Sequence, residues 1–367
     1  MSTITSLLVR DRSTDESWSG RVNGAAALLV INFNTACKTM RCIESILSGS
    51  EIPGRILILD NGSDAPDAAH LHAMLADLPA IGAELQLIRA DKNLGFAGGC
   101  NLLIDQAMKL PDCLHILLLN SDAVAMPAWT AAMLNCAAQT PANIGMVGAR
   151  MHKLSNPEDV DTLGIALYRS LMPADRHTVD DTLVGPTGGC CLLKRSMLEE
   201  LHQISGYYFD ERFFCYCEDT DLVLRAVLLG YETAYLNEVL ALHEGQGSSG
   251  GNVSAFITYH GLRNSIWMHA KLLPVSLFLR LGPLLVLAHC LSIGRHGLYG
   301  RFGLLWRTYR DGLRRLPEFL RERKRYRSAD RYEVEGLRAR ITPRFYRARY
   351  MAHVLRIEQH RRELMRR

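Results

Sequence analysis

The run Ala25–Phe33, AAALLVINF, decides how this chain reads. Its apolar residues are consecutive rather than alternating, and a strand that is apolar on both faces belongs in the middle of a parallel sheet covered by helices. Working outward, the same signature returns at Arg55–Asp60 (RILILD), Glu84–Arg89, Leu114–Leu119 (LHILLL) and Gly145–Ala149. Helix-period stretches fall between these runs: Cys37–Leu47, Ala68–Leu78, the segment ending near Lys109, and Ala128–Ala138. Strands alternating with helices over about 125 residues predict an α/β fold with a mostly parallel central sheet. In such sheets ligands sit outside the carboxyl ends of the strands. Asp60 and Asp122 each follow an apolar strand directly, which puts both on that edge. A helix cap is the plain alternative for either one. With the glycine-rich Gly95–Gly99 between them, the pair points to a site for a phosphorylated ligand. The glycine spacing matches neither the dinucleotide fingerprint nor the Walker loop, so both are rejected.

The second half is less regular, and its chemistry concentrates in Phe209–Gly230, FDERFFCYCEDTDLVLRAVLLG. An aromatic loop (Phe213, Phe214, Tyr216) leads into Glu218, Asp219 and Asp221, then into a helix-period run ending at Gly230. Acids are favourable at a helix start, where free N–H groups and the dipole attract negative charge. A cap accounts for one or two of them. Three behind a wall of aromatics predict a general base in a substrate pocket, since burying a carboxylate is costly and raises its pKa. Residues 151–183 read as an irregular insertion or acceptor-side loop. Gly185–Lys194 (GPTGGCCLLK) reads as a glycine bend and a strand passing close to ligand, and Tyr231–Leu242 as one or two short strands. His243 then opens a glycine-rich loop, a position suited to a metal ligand or phosphate contact; a structural histidine is the alternative.

The net charge of +4 is unevenly spread. From Arg295 onward there are 22 Lys+Arg against 8 Asp+Glu, so the preceding body is acidic and the tail strongly basic. Such a tail suits anionic lipid, nucleic acid or another protein. Residues 1–24 read as a polar leader without the apolar core of a secretory signal. The ten cysteines show no repeated metal spacing, which fits reduced, core-filling thiols in a cytosolic setting. Leu272–Ile293 is long enough to span a bilayer, but Pro274, Arg280 and Pro283 interrupt it. A segment lying in the interface plane is the favoured reading, with a buried domain helix as the alternative. The arginines and aromatics that follow, Arg301 to Arg327, suit the anionic inner leaflet, so a peripheral protein on the cytoplasmic face of the plasma membrane is expected. Nucleic-acid binding by the tail is the weaker competitor, and helices within 303–367 could also pair into a homodimer contact.

Taken in order, the motifs resemble those of family 2 glycosyltransferases with the GT-A fold, and among them the bacterial rhamnosyltransferase-like branch. The matching pieces are Ile31-Asn-Phe-Asn34, Leu59-Asp-Asn-Gly-Ser63, Asn93-Leu-Gly-Phe-Ala97 with Asn101, and Leu119-Asn-Ser-Asp122. Later come Gly188-Gly189, Phe209-Asp-Glu211, Glu218-Asp-Thr-Asp-Leu222 with Arg225 and Gly230, His243 with Gly247 and Ser248, and Arg263-Asn264. The resemblance implies a GT-A domain over 25–270 and a helical, membrane-associating extension over 271–367. It implies donor contacts from Asn34, Asp60, Asn93, Gly95, Asn101 and Asp122, and acceptor or supporting roles for Gly189, Glu218, Asp221 and Arg225. Asp219 becomes the catalytic base, while Asp122 and His243 become ligands of Mg²⁺ or Mn²⁺. Asn120-Ser-Asp122 offers one carboxylate where the full Asp-x-Asp motif has two. The implied activity is inverting transfer of a sugar, rhamnose from dTDP-rhamnose, to a lipid-linked or growing cell-surface polysaccharide. A UDP- or GDP-hexose donor is the alternative. A catalytically silent scaffold that binds nucleotide sugars is another.

Overall fold

Apolar strands and the helices between them assemble in the order that the periodicity predicts. The computed structural model describes residues 4–10, 21–79, 82–245, 254–329 and 332–347. The first half runs β1 (Ile4–Arg10), β2 (Arg21–Asn32), α1 (Ala36–Leu47), β3 (Glu51–Asp60), α2 (Ala65–Ala76), β4 (Glu84–Ala90), α3 (Gly95–Met108), β5 (His115–Leu119), β6 (Ala123–Ala125) and α4 (Trp129–Gln139). The second runs β7 (Ile144–Lys153), β8 (Asn156–Thr162), β9 (Ile165–Tyr168), β10 (Pro173–Asp175), β11 (Cys190–Lys194), α5 (Arg195–Ser205), α6 (Glu218–Leu228) and β12 (Glu232–His243). Four helices follow, α7 (Ala255–Leu272), α8 (Val275–Leu298), α9 (Phe302–Arg314) and α10 (Leu316–Arg327). The last described elements are α11 (Val334–Ala339) and β13 (Ile341–Thr342).

The main sheet has the order β1-β4-β3-β2-β5-β11-β7-β12-β6, with β8 pairing β7. Strands β4, β3, β2 and β5 are mutually parallel, as is the pair β7 and β12. Strand β11 runs antiparallel between β5 and β7. The apolar run that opened the reading is central: Leu28 pairs with Ile56 and Leu117. Its residues divide between two cores. Ala27 and Leu29 join the one under α3, α5, α6 and α7, while Ala26, Leu28 and Val30 join the one under α1, α2 and α4. Burying each large side chain of this strand contributes about 1.5–3 kcal/mol, which explains why Ala25–Ile31 carries no polar residue.

Three expectations need correcting. The leader is not all loose, since Ile4–Arg10 forms an antiparallel edge strand on β4 and Arg21–Gly24 already belongs to β2. Its short β-branched and apolar run finds an open sheet edge, which composition alone does not reveal. The 151–183 stretch carries β8, β9 and β10; the last two form a small second sheet with β13. The boundary at residue 270 falls inside α7, and one core runs across it through Trp267, Leu272, Phe319 and Tyr326. Tyr231–Leu242 is realised as one long strand.

Candidate active site

Ile31 at the end of β2, Phe33 just after it, Asn61 after β3, and Asn120 and Asp122 after β5 line one cavity of about 1350 Å³ at the carboxyl ends of the parallel strands. The opposite wall is the loop before α6 and the first turn of that helix, with Phe214, Tyr216, Glu218 and Asp219. Asp219 and Asp122 thus share a single cleft. Of the three aromatics expected there, Phe214 and Tyr216 line it, but Phe213 is buried in the core, edge-on to Trp267 and Phe319.

The backbone before α6 is strained. Phe214, Tyr216 and Cys217 all have positive φ (65°, 69° and 65°), which costs side-chain-bearing residues of order 1–3 kcal/mol each. Asn264 on α7 holds this loop: its Nδ2 donates to the carbonyls of Phe213 (2.9 Å), Cys215 (2.9 Å) and Tyr216 (2.6 Å). Arg263 donates to the Phe213 carbonyl as well, at 3.1 Å. On the other side Gly95 also has positive φ, and a Cβ there would collide with the Phe214 carbonyl oxygen, so only glycine lets α3 start this close to the loop. Cys215 and Cys217 have thiols pushed well up by burial, so they pack as neutral side chains rather than react.

Asp219 Oδ2 accepts from the Gly188 N–H (3.1 Å) and Oδ1 from the Thr220 N–H (2.6 Å). Burial raises its carboxyl above the ordinary range, and those hydrogen bonds only partly offset the rise. A carboxylate less comfortable than in water, open to a cavity and fixed at both oxygens, is the profile of a general base. Glu218 beside it is pushed further up, first by burial and then by Asp219.

Asp122, His243 and Asp161 form a second constellation. His243 Nε2 lies 3.0 Å from Asp122 Oδ1, and Nδ1 lies 2.8 Å from Asp161 Oδ2. Burial disfavours the imidazolium, yet the two carboxylates outweigh it and push His243 up to about 10. Burial alone would raise Asp122, but His243 brings it down on balance. Among the described residues no cluster of three or more His, Cys, Asp or Glu side chains surrounds a common metal position. The donor set nevertheless fits a divalent ion of the Mg²⁺ or Mn²⁺ kind. Asp122 would supply a hard oxygen and His243 Nε2, once its proton is displaced by the incoming ion, a nitrogen; Asp161 orients the ring from behind, and such ions take their remaining ligands from phosphate and water.

The other expected residues divide by location. Asn93 and Gly95 line the cavity, and Asn93 Oδ1 accepts from the Gly95 N–H at 2.8 Å. Gly189 lines it too; a Cβ there would press on the Asn120 amide. Asn34 ties the two strand ends together, accepting from Asp64 N–H and donating its own N–H to Ser63. Asp60 is buried against Arg89 (2.6 Å), and Asn101 clamps the Phe209 backbone through both ends of its amide. None of Asn34, Asp60 and Asn101 forms part of the cavity wall. Asp221 and Arg225 lie behind it in a fully buried network: Arg225 pairs with Asp221 at 2.9 Å, and Lys271 with Asp221 at 2.6 Å and Asp210 at 2.7 Å. Gly247 and Ser248 lie outside the described residues. Asp161 and Asp175, both in the cavity wall, had no signal in the sequence, because their segment shows neither helical nor strand periodicity.

A GT-A-like α/β fold with the carboxylates of Asp219 and Asp122 in one cleft is the architecture of transferases of nucleotide-activated sugars. The model of the family described as "Glycosyltransferase like family 2" matches residues 24–259, and the chain belongs to that family as a glycosyltransferase. Among solved structures it is similar to the mannosyltransferase PcManGT from Pyrobaculum calidifontis in complex with GDP-Man and Mn²⁺. The TM-score is 0.50 at 12% identity, over 84% of this chain and 86% of that one. A weaker likeness, TM-score 0.47 at 12% identity over 68% and 67%, is to S. aureus TarS 1-349 in complex with UDP-GlcNAc. No curated protein matches the chain.

Proposed function

We propose that the protein is an inverting glycosyltransferase that moves rhamnose from dTDP-rhamnose to a lipid-linked or growing cell-surface glycan at the inner face of the plasma membrane. The observation that carries the reaction type is the placement of Asp219 and Asp122 in one cavity. The acceptor hydroxyl gives its proton to the Asp219 carboxylate as its oxygen attacks the anomeric carbon. The bond from that carbon to the diphosphate breaks, and its electron pair leaves with the nucleoside diphosphate. One displacement inverts the anomeric centre. Asp122 and His243 would hold a Mg²⁺ or Mn²⁺, which would supply positive charge to the departing diphosphate. The rest falls to the chain itself: Gly188 and Thr220 aim the base, and Asn264 holds the loop that carries it.

The rhamnose reading rests on the motif likeness quoted above, and a UDP- or GDP-hexose is the alternative. A panel of dTDP-, UDP- and GDP-sugars with Mn²⁺, read by diphosphate release and by the anomeric configuration of the product, tests both. Release from dTDP-rhamnose with inversion is expected. A retained anomer ends the single-displacement scheme, and release from another donor alone ends the rhamnose assignment.

The membrane reading is supported by α8, whose most apolar 18-residue window has mean hydropathy 1.8 and is only 22% buried. Leu279 (75%), Leu298 (88%) and, on α9, Trp306 (70%) face outward beside Arg307 and Arg310. One face of α8, with Leu277, Leu281 and Leu285, packs on the domain and the other is exposed, which supports a helix lying along the lipid surface rather than crossing it.

A further inference from the structure

Beyond the family-matched residues, two arginines reach the cavity. Arg295 comes from the last turn of α8, and Arg347 from the strap that follows β13. That strap is pinned to the small sheet: β13 pairs with Leu167 and Tyr168, the Phe345 carbonyl accepts from Ser170 N–H, and Tyr346 packs on the Tyr168 ring. Asp175 on β10 is within electrostatic reach of both Arg347 and Asp219. Arg347 also meets His177 Nε2 at 2.6 Å. The wall here changes character. Ala288, Leu291 and Ser292 of α8 continue it outward, and Leu291 is 56% exposed, so the cavity opens directly onto the apolar face of α8.

We infer that this part of the cavity is the acceptor subsite for a phosphate ester of a long-chain alcohol, with Arg295 and Arg347 holding the phosphate and the outward face of α8 taking the chain. The inference rests on the glycosyltransferase reading and selects the lipid-linked acceptor over a free polysaccharide. Arginine forks match phosphate oxygens in pairs. The cavity wall beside Arg295, with Ala288 and Leu291, is apolar and continuous with the exposed face of α8. Asp175 then stands where the first acceptor sugar would pass on its way to Asp219, able to hydrogen-bond its hydroxyls.

Binding of geranyl phosphate, geraniol and inorganic phosphate to the full-length protein is measured by calorimetry, beside binding of dTDP with Mn²⁺. Geranyl phosphate is expected to bind at least about 10-fold tighter than either of its parts, and R295Q/R347Q should lose about 10-fold for it alone. The double variant should keep wild-type affinity for dTDP and a wild-type unfolding midpoint. Equal binding of geraniol and geranyl phosphate overturns the proposal, as does inorganic phosphate binding as tightly as the ester. Loss of dTDP affinity in a folded double variant also overturns it, because the arginines would then serve the donor. Failure of the wild type to bind dTDP strikes the glycosyltransferase reading instead.

Discussion

Asp219 is the residue on which turnover should depend most steeply. Replacing it with Asn keeps the shape, gives up one of the two backbone N–H bonds and removes the proton acceptor, so kcat should fall by about 10²- to 10⁴-fold while donor affinity holds. Single-turnover rates beside dTDP binding check this; a loss of less than about 10-fold would remove Asp219 from the role. The pH dependence has a definite sign. The base works only when ionised and its pKa is raised, so the acid limb of kcat/KM should lie above the ordinary carboxylate range, with activity falling as pH falls through it. Stability runs the other way. Between the ordinary value and the raised one, the folded state keeps a proton that the unfolded state has lost, so stability declines as pH rises through that window. At neutral pH the ionised Asp219 is therefore held at a cost in stability relative to a carboxylate in water.

At the scale of elements, α6 is held in place by charge rather than by apolar packing alone. Asp221 and Arg225 on α6, Asp210 before the loop, and Lys271 on α7 are all essentially without solvent contact. Arg212 extends the chain of pairs from Asp210 to Glu322 on α10. Burial alone would raise Asp210, but Lys271 and Arg212 hold it well below the usual carboxylate range. Lys271→Met removes the shared partner of two buried carboxylates, leaving each with a single arginine, and should cost about 3–5 kcal/mol in a denaturant melt, far more than removing an exposed pair such as Arg338 with Glu335. A cost under about 1 kcal/mol would mean that the network relaxes or hydrates easily. The same pairs explain why α7 to α10 cannot be treated as a detachable appendage: they support the strained loop in front of the base.

For the whole molecule, the proposed membrane face is the exposed side of α8 and α9. Because Trp267, Lys271 and Phe319 are core residues, truncating the chain near 272 would unfold the catalytic half and say nothing about lipid. Surface substitutions are the cleaner probe. Leu279→Ser, Leu298→Ser and Trp306→Ser together should leave the unfolding midpoint within about 2 °C, since these side chains are exposed, while lowering partition onto anionic vesicles by at least about 10-fold. Partition of the wild type should weaken as salt rises, because the arginines of α9 and α10 contribute through screened charge. Unchanged flotation of the triple variant would remove this face from the membrane.

The sequence by itself determined the sheet and the chemistry at its edge. A buried parallel strand must be apolar on both faces, so AAALLVINF and its successors announce their place without neighbours, and the acids that follow them announce the edge. It also singled out three acids after an aromatic loop as candidates for a base, while the fold separates Asp219 in the cavity from Asp221 in a buried ion-pair network. What only the tertiary structure decided is everything that depends on two distant segments meeting. Asp161 becomes His243's second partner through β8, a strand without periodicity. Asn264 becomes the clamp of a loop whose Cys215 lies 49 residues away in the chain. Arg295 and Arg347 enter the cavity from outside the family-matched span. Hydrogen bonds and ion pairs across such separations leave no local pattern, since each partner alone is an ordinary polar residue and only the fold brings them within reach.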